Sequence, residues 1–450
     1  MIMLLKQLVI KGLYNNYDYD VKFNDDVTFI YGMNGCGKTT VLNITEAIIT
    51  GRVYRLFDYK FYEITLWYSV GKKKRKSSIY IKSTNEGLLV TFDKKSETIS
   101  KRISTEREIP SNIGEEELSH FYFSQYDILN SIKQTFNHAY LPLNRSVHYE
   151  DDIILFRMRR NLRYQKENGR MMNGQDMVML YVEELIKWKH DLIMSNIIQS
   201  NNDFRDEILK SLLIVKGNNS ILEVIDDIAS KKIKREDIIR IKENYIKIMR
   251  QLNILHDDEE SSYRKFFDSF LEQYSSIDEI SNLPSELASQ YLEILRIKNL
   301  VRIAEETEAK KEIEYKPIKM FTETINEFIF NEIDKKQLHI STKGEIYLTI
   351  NNNSQHIGIN ALSSGEKQLV IFFANLIFGI QKDTTGIFIV DEPELSLHLL
   401  WQSEFVKKAL ELNENIQLIF ATHSPEIVGK YTDRMFELVK KPCSKENKDE

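Results

Sequence analysis

The first chemical pattern in this sequence is the string GMNGCGKTT, which runs from Gly32 to Thr40. It fits the pattern G-x-x-x-x-G-K-[ST] and directly follows the apolar run VTFIY. Glycines let backbone N–H groups close around phosphates, and the N-terminus of the next helix adds a partial positive charge. The string therefore predicts a site for ATP and Mg²⁺, in which Lys38 reaches the β- and γ-phosphates and the Thr39 hydroxyl binds Mg²⁺. The predicted nucleotide contacts are Asn34, Gly35, Cys36, Gly37, Lys38, Thr39 and Thr40.

A second pattern, IFIVDEPELSLH, is an apolar run that ends in two carboxylates, Asp391 and Glu392. The run is typical of a buried parallel strand, whose carboxyl end is where open α/β sheets bind ligands. This position predicts that Asp391 is a Mg²⁺ ligand and that Glu392 is the general base that orients the attacking water. His423 follows another apolar run, LIFATHSPE, and is predicted to contact the γ-phosphate; a purely structural histidine is the alternative.

The elements around these motifs fall into three regions. Short runs rich in β-branched and aromatic residues dominate residues 1–150, which we expect to carry the first half of the nucleotide site and an antiparallel β lobe. The aromatic string FYFSQY in this region is interpreted as strand packing. Residues 151–315 show apolar residues at helical spacing and are expected to form a helical insertion. Strands and helices alternate again from about Pro317, so residues 316–450 are expected to complete a parallel sheet.

Composition narrows the classes of function. The chain has 450 residues and a net charge of −6, so a general polyanion binder is excluded and any contact with DNA or RNA must come from a local patch. The run KKKRK, Lys72 to Lys76, is one candidate patch, and a solvated turn is the alternative. Two cysteines exclude a disulfide framework; Cys36 is interpreted as redox-sensitive or as a small residue that the loop tolerates. No apolar stretch is long enough for a membrane span, so we expect a soluble cytoplasmic protein without membrane contact.

The string LSSGEKQ, Leu362 to Gln368, would by itself indicate only a helix N-cap. Together with the other three motifs in this order, it resembles the signature of ABC-type ATPases. The long separation between Lys38 and Leu362 resembles the SMC and RecF branch, in which a helical region splits the ATPase head. The strings DEPELSLH, Trp401-Gln402 and ATHSPEI are more specific, and they resemble the overcoming-lysogenization-defect (OLD) group of AAA-type ATPases.

This resemblance implies an α/β fold, namely an ABC-type P-loop ATPase head with a mixed or parallel sheet, an antiparallel β lobe and a helical insertion. In such ATPases two heads enclose two nucleotides, so a homodimer or a higher homo-oligomer is expected, with Ser396 and His398 along its seam. The Q-loop residue is left open between Gln125 and Asn144. The signature residues expected to contact the nucleotide of the other copy are Ser363, Ser364, Gly365 and Glu366.

The resemblance also implies a function. OLD nucleases carry a C-terminal Toprim domain, whereas this sequence ends soon after His423, so we expect a stand-alone ATPase that regulates a separate nuclease or toxin in anti-phage defence. The ATPases of the Septu and PARIS systems are similar arrangements. The alternatives are a RecF- or SMC-like DNA-repair ATPase that clamps DNA, and a scaffold gated by ATP binding. The insertion lacks a sustained heptad repeat, which favours a compact bundle that docks a partner over a long coiled-coil arm.

Overall fold

The computed structural model describes residues 3–71, 75–104, 107–108, 115–141, 174–213, 234–251, 257–275, 285–351, 355–380, 385–395 and 397–443. The chain forms two compact units. The first comprises Met1–His190 and Pro317–Glu450, and the second comprises Asp191–Lys316. The predicted boundary at 150/151 lies outside the described residues, and the predicted domain limits stay a prediction. None of the described helices combines the length and the apolar character that a bilayer crossing requires.

The first unit contains a parallel sheet in which the described residues form five strands. Its strand order is β10-β14-β15-β3-β16, so the strand before the P-loop and the strand before Asp391 flank β15. The carboxyl ends of all three strands therefore meet at one edge of the sheet. The strands are β3 (Val27–Tyr31), β10 (Asn137–Leu141), β14 (Gly386–Asp391), β15 (Ile416–Ala421) and β16 (Met435–Glu437).

A second, antiparallel sheet has seven strands among the described residues, in the order β17-β2-β1-β4-β5-β6-β7. It is the predicted β lobe. The strands are β1 (Met3–Leu13), β2 (Tyr17–Lys22), β4 (Glu63–Val70), β5 (Arg75–Ser83), β6 (Leu88–Phe92), β7 (Lys95–Ile99) and β17 (Lys441–Pro442). Two small antiparallel sheets contain β8 (Arg102–Ser104) with β9 (Arg107–Glu108), and β11 (Gln337–Ile340), β12 (Ile346–Thr349) and β13 (Ile357–Gly358).

Side chains along a strand point alternately to the two faces of the sheet, and both faces of the parallel sheet are buried. On one face, Ile387, Ile389 and Ile419 join a core shared with the antiparallel sheet and helix α1 (Lys38–Ile49). On the other face, Phe388 packs against Phe372 with ring centroids 5.9 Å apart. That face is covered by helices α8 (Ser364–Phe378) and α9 (Leu399–Leu412). The described helices not yet given are α2 (Glu115–Gln125), α3 (Asp127–Thr135), α4 (Gly174–Leu213), α5 (Arg235–Gln251), α6 (Asp257–Ser275), α7 (Ser285–Ile329) and α10 (Pro425–Val428).

The second unit is helical over its described residues, as the spacing of apolar residues predicts. Helices α5, α6 and α7 share a hydrophobic core there. Its fully buried aromatic residues are Phe267, Phe270 and Tyr291. The predicted fold class is thereby confirmed as α/β, with a parallel sheet, an antiparallel lobe and a helical segment inserted in the sequence between the strands of the parallel sheet.

One expectation for local structure was wrong. The string FYFSQY, residues 121–126, lies in helix α2 up to Gln125 rather than in a strand, and Tyr122 on this helix is buried. Tyr122 stacks on Tyr54 with ring centroids 4.5 Å apart. Helix α7 continues through Pro317, and the first unit resumes at this residue, where the sequence predicted the second α/β segment to start. A proline costs an interior helix hydrogen bond, and burial of neighbouring residues such as Ile318 and Phe321 compensates.

Candidate functional site

The P-loop connects β3 to α1 through backbone conformations that favour glycine. Gly35 has φ +76°, and a Cβ atom there would meet no other atom within 4 Å, so the loop is open at this point. Gly37 has φ +103°, and a Cβ atom there would lie 2.8 Å from the Tyr19 hydroxyl oxygen. That hydroxyl donates a hydrogen bond to the carbonyl of Cys36 at 3.0 Å. Burial raises the pKa of Tyr19 to about 12, so this donor keeps its proton at neutral pH.

The side chain of Lys38 lies beneath this loop and is 7% exposed. Its Nζ donates to the Gly32 carbonyl at 3.2 Å and lies 2.7 Å from His423 Nε2. An ammonium group only donates hydrogen bonds, so it is the imidazole Nε2 that accepts here. Two of the residues predicted to contact phosphate therefore meet directly.

Asp391 lies at the end of β14 and is 3% exposed, and among the described residues neither of its carboxylate oxygens has a hydrogen-bond partner. Burial raises the pKa of this carboxyl group, and the nearby Thr39 hydroxyl opposes that shift without reaching hydrogen-bond geometry. The charge of Glu392 raises the pKa further, whereas the charge of Lys38 lowers it. A buried carboxylate without partners is costly unless a cation balances it, and here its oxygens lie close to Thr39, the other predicted magnesium ligand.

Glu392 has a strained backbone, since its φ of +48° lies in the left-handed region. Its N–H donates to the carbonyl of Ala421 at 2.8 Å, which connects the end of β14 to the end of β15. Its side chain is half-buried. Non-glycine residues in such conformations concentrate at functional sites, where the surrounding structure stabilises them.

The signature residues lie at the start of α8. The Ser363 hydroxyl accepts a hydrogen bond from the Glu366 N–H at 3.3 Å, and the Glu366 carboxylate accepts one from the Ser363 N–H at 2.7 Å, which is a complete capping box. Lys336 also donates to both Glu366 oxygens at 2.9 Å. Burial alone would raise the pKa of Glu366, but Lys336 and the cap outweigh it, so the pKa is lowered. Ser363 and Ser364 are exposed, whereas Gly365 and Glu366 are buried.

One cleft of about 740 Å³ brings the P-loop and the His423 segment together. Its lining residues include Gly32, Asn34, Thr422, His423 and Ser424. Among the described residues, no group of three or more His, Cys, Asp or Glu side chains forms a metal cage.

Several residues predicted to be functional are exposed, lie outside the described residues or cap a helix. Gln125, one Q-loop candidate, is exposed at the end of α2, and Asn144 and Ser396 lie outside the described residues. Lys72–Lys74 are also outside them, in the connection between the antiparallel strands β4 and β5. The imidazole of His398 accepts a hydrogen bond from the Leu400 N–H at 3.4 Å and so caps α9.

Sequence reasoning missed three side chains that contact the motif loops. Glu394 accepts hydrogen bonds from the Thr422 hydroxyl at 2.8 Å and from the His423 N–H at 2.7 Å. Gln402 on α9 accepts one from the Ser424 hydroxyl at 2.7 Å. Gln368 of the signature donates to the carbonyl of Pro393 at 3.1 Å. In the sequence all three residues stand within strings that carry the resemblance, DEPELSLH, Trp401-Gln402 and LSSGEKQ, but those strings assigned them no role.

Comparisons with known proteins agree with this arrangement. Residues 199–429 match a family described as "AAA domain, putative AbiEii toxin, Type IV TA system". The chain is 23% identical over 448 residues to the Retron Vc95 probable ATPase of Vibrio cholerae serotype O1 biovar El Tor, a match that covers 94% of this chain and 72% of that relative. It is 30% identical over 89 residues to the Retron Ec83 probable ATPase of Escherichia coli, which covers 18% of this chain and 16% of that relative.

Solved structures also resemble the chain. An Smc head domain from Pyrococcus furiosus, with an extended coiled coil and bound to the C-terminal domain of ScpA, is 12% identical with a TM-score of 0.44. That match covers 98% of this chain and 96% of the other. The recombination mediator protein RecF of the RecFOR pathway is 12% identical with a TM-score of 0.35, over 98% of this chain and 99% of the other.

Proposed function

The chain belongs to the AAA-domain family that its residues 199–429 match. From this premise we propose that it is an ABC-type ATPase of the SMC/RecF-like branch, and that two copies assemble around ATP and control a separate effector. The effector is a nuclease or a toxin, and the context is anti-phage defence. The observation that carries the proposal is the meeting of Lys38, Thr39, Asp391 and His423 at one edge of the parallel sheet.

The residues at this edge fit a magnesium-bound nucleotide. The open loop at Gly35 and the first turn of α1, which has no side-chain cap, offer backbone N–H groups to phosphate oxygens. Thr39 and Asp391 offer oxygen atoms to Mg²⁺, which when bound neutralises charge on the phosphates. The unpartnered Asp391 oxygens support this assignment. Asn34, Cys36 and Thr40 complete the predicted contacts along the loop.

Hydrolysis then depends on two side chains. Glu392 orients the attacking water and accepts its proton, from a position one residue beyond the magnesium ligand. His423 donates a hydrogen bond to the γ-phosphate from the opposite side of the cleft. Lys38 exchanges its contact with His423 for contacts with the β- and γ-phosphates, so nucleotide binding separates this pair.

The second copy completes the site. Ser363 and Ser364 are exposed at the N-terminus of α8, where a hydroxyl group and backbone N–H groups can reach a phosphate of the other copy. Exposed leucines just after the Asp391 strand provide apolar surface for the same contact: Leu395, Leu399 and Leu400 are 61%, 59% and 71% exposed. In a two-fold dimer each of these surfaces is used twice. Glu366 stabilises the signature segment through the capping box with Ser363 and the ion pair with Lys336.

The effector proposal draws on the names of the relatives. Two similar proteins are named retron probable ATPases, and the family description includes a toxin and a type IV toxin–antitoxin system. A switch of this kind would convert ATP binding and hydrolysis in the head into assembly or release of the effector. When two heads close, the surroundings of the exposed signature serines and of the exposed leucines change. Through these surfaces the head can therefore signal to a partner protein whether ATP is bound.

The direct test is to co-express the chain with the product of its neighbouring gene, purify it through a tag, and measure the mass of the assembly with and without ATP. We expect an ATP-dependent increase to at least twice the chain mass, steady ATP hydrolysis, and co-purification of a nuclease or toxin. A mass that does not respond to ATP contradicts the dimer, and absence of any co-purified effector contradicts the regulatory role. Salt-dependent binding of DNA by the isolated chain would favour the DNA-clamping alternative instead.

A further inference from the structure

The side chain of Glu394 closes on the loop that carries His423. Glu394 lies in a short 3₁₀ turn, Pro393–Leu395, immediately after Asp391 and Glu392. One carboxylate oxygen accepts from the His423 N–H at 2.7 Å, and the other accepts from the Thr422 hydroxyl at 2.8 Å. The two short contacts attach this loop to the same turn that follows the predicted magnesium ligand and general base.

Gln402 attaches the other side of the same loop. Its Oε1 accepts from the Ser424 hydroxyl at 2.7 Å, and its Nε2 donates to the carbonyl of Leu397 at 2.8 Å. Gln402 is 7% exposed, so its rotamer is fixed by packing on α9. Residues 422, 423 and 424 are therefore each contacted by a side chain from the segment that follows β14.

The need for such contacts follows from the exposure of His423. Its side chain is exposed, so core packing does not determine where the imidazole points. Its direction depends instead on the contact with Lys38 and on the backbone of residues 422–424. The Thr422 hydroxyl also accepts from the Ser424 N–H at 3.0 Å, so Glu394 acts on a hydroxyl group that itself shapes the loop.

We infer that Glu394 is a positioning residue that sets the direction of His423 toward Lys38 and the phosphates, with Gln402 as a second support. This inference rests on the proposed role of His423 in hydrolysis. It also gives a reason for a third carboxylate in this turn. The charge of Glu394 has a cost there, because it raises the pKa of Asp391, the predicted magnesium ligand.

The test compares Glu394→Ala with Glu394→Gln. The glutamine retains an oxygen that can accept from the His423 N–H, whereas alanine removes both acceptors. We expect Glu394→Ala to lower kcat about tenfold, the equivalent of ~1.4 kcal/mol, with the Kd for ATP changed less than about twofold. Glu394→Gln should recover most of the rate.

Thr422→Val should reproduce part of the loss, and the double variant Glu394→Ala with Thr422→Val should be no slower than the slower single variant. Glu414→Gln, at an exposed position beyond α9, is the matched control and should behave as the parent.

A second measurement does not require turnover. In the nucleotide-free protein, amide hydrogen exchange in a peptide covering residues 416–428 should be faster in Glu394→Ala and near the parent rate in Glu394→Gln. Unchanged exchange overturns the inference, as does a glutamine variant as slow as alanine, since that would indicate a role of charge. A raised KM with unchanged kcat would also overturn it. Absence of hydrolysis in the parent protein contradicts the proposed function, and the exchange measurement then decides the positioning role alone.

Discussion

Lys38 Nζ lies 2.7 Å from His423 Nε2, although 385 residues separate the two side chains in the sequence. The contact joins the P-loop to the end of β15, and it occupies the Nζ atom that Lys38 is predicted to offer to a nucleotide. Phosphate oxygens must therefore replace a hydrogen bond already present in the protein. This arrangement keeps a buried ammonium paired until a ligand arrives, since an unpaired buried charge is costly.

Replacing Lys38 tests the P-loop assignment. We expect Lys38→Ala to weaken ATP binding about 10- to 100-fold, because hydrogen bonds to charged groups contribute ~1.5–3 kcal/mol. Isothermal titration with ATP and Mg²⁺ measures the change. Lys407→Ala, on the surface of α9, is the control and should bind as the parent does. Unchanged affinity in the Lys38 variant would contradict the assignment of the loop.

Two substitutions test separately the proposed role of the Glu392 side chain as general base and the strain in the Glu392 backbone. Glu392→Gln should lower kcat about 10²- to 10⁴-fold while ATP still binds, so that the ATP-bound dimer accumulates. Glu392→Gly should lose turnover as well, but it should raise the apparent Tm, because glycine adopts a φ of +48° without the cost of about 1 kcal/mol that other residues incur. Phosphate release and thermal unfolding are the measurements. Equal hydrolysis by the glutamine variant and the parent would exclude Glu392 as the general base.

Asp391 is predicted to reduce the stability of the nucleotide-free protein. Its pKa is raised in the folded state, so the folded protein incurs a penalty that appears as pH rises through the ordinary value of 3.8 and is complete above the folded pKa. We expect Asp391→Asn to raise the apparent Tm at pH 7 by about 2 °C and to abolish magnesium-dependent hydrolysis. The advantage should disappear in buffers below pH ~3.8. An Asn variant less stable than the parent at pH 7 would show that the carboxylate has a stabilising partner.

A mixing experiment tests whether the signature acts on the nucleotide of the other copy. Lys38→Ala and Ser363→Asp should each be inactive alone; the aspartate preserves the helix cap but repels phosphate. In a 1:1 mixture half of the dimers contain both variants, and each has one intact site, so about a quarter of the parent activity should return.

The control mixture combines Lys38→Ala with Glu392→Gln. Both changes affect the same side of the site, so no mixed dimer has an intact pair and no activity should return. Hydrolysis by the first mixture that stays at the level of its components would mean that Ser363 does not act across a dimer. Thermal unfolding of Ser363→Asp near the parent Tm would exclude loss of the α8 cap as the cause.

Local sequence patterns were sufficient to predict part of the fold and of the candidate site. The P-loop, the strand before Asp391 and the cap at Ser363 follow from neighbouring residues, because phosphate loops, buried strands and capping boxes are short-range structures. The same reasoning failed for FYFSQY, where aromatic residues favour strands on average but residues 121–125 lie in helix α2 with Tyr122 buried.

The sequence by itself determined which chemical groups are present and which local structures present them: a glycine-rich loop before a helix, two carboxylates after a buried strand, and a serine that begins a helix. Only the tertiary structure decided which of these groups meet. The strand order β14-β15-β3 brings Asp391, His423 and Lys38 to one sheet edge, and the same order lets Glu394 and Gln402 contact the His423 loop. The physical reason is that contacts between parallel strands distant in the chain depend on how the whole core buries its apolar faces, and local spacing does not encode that choice.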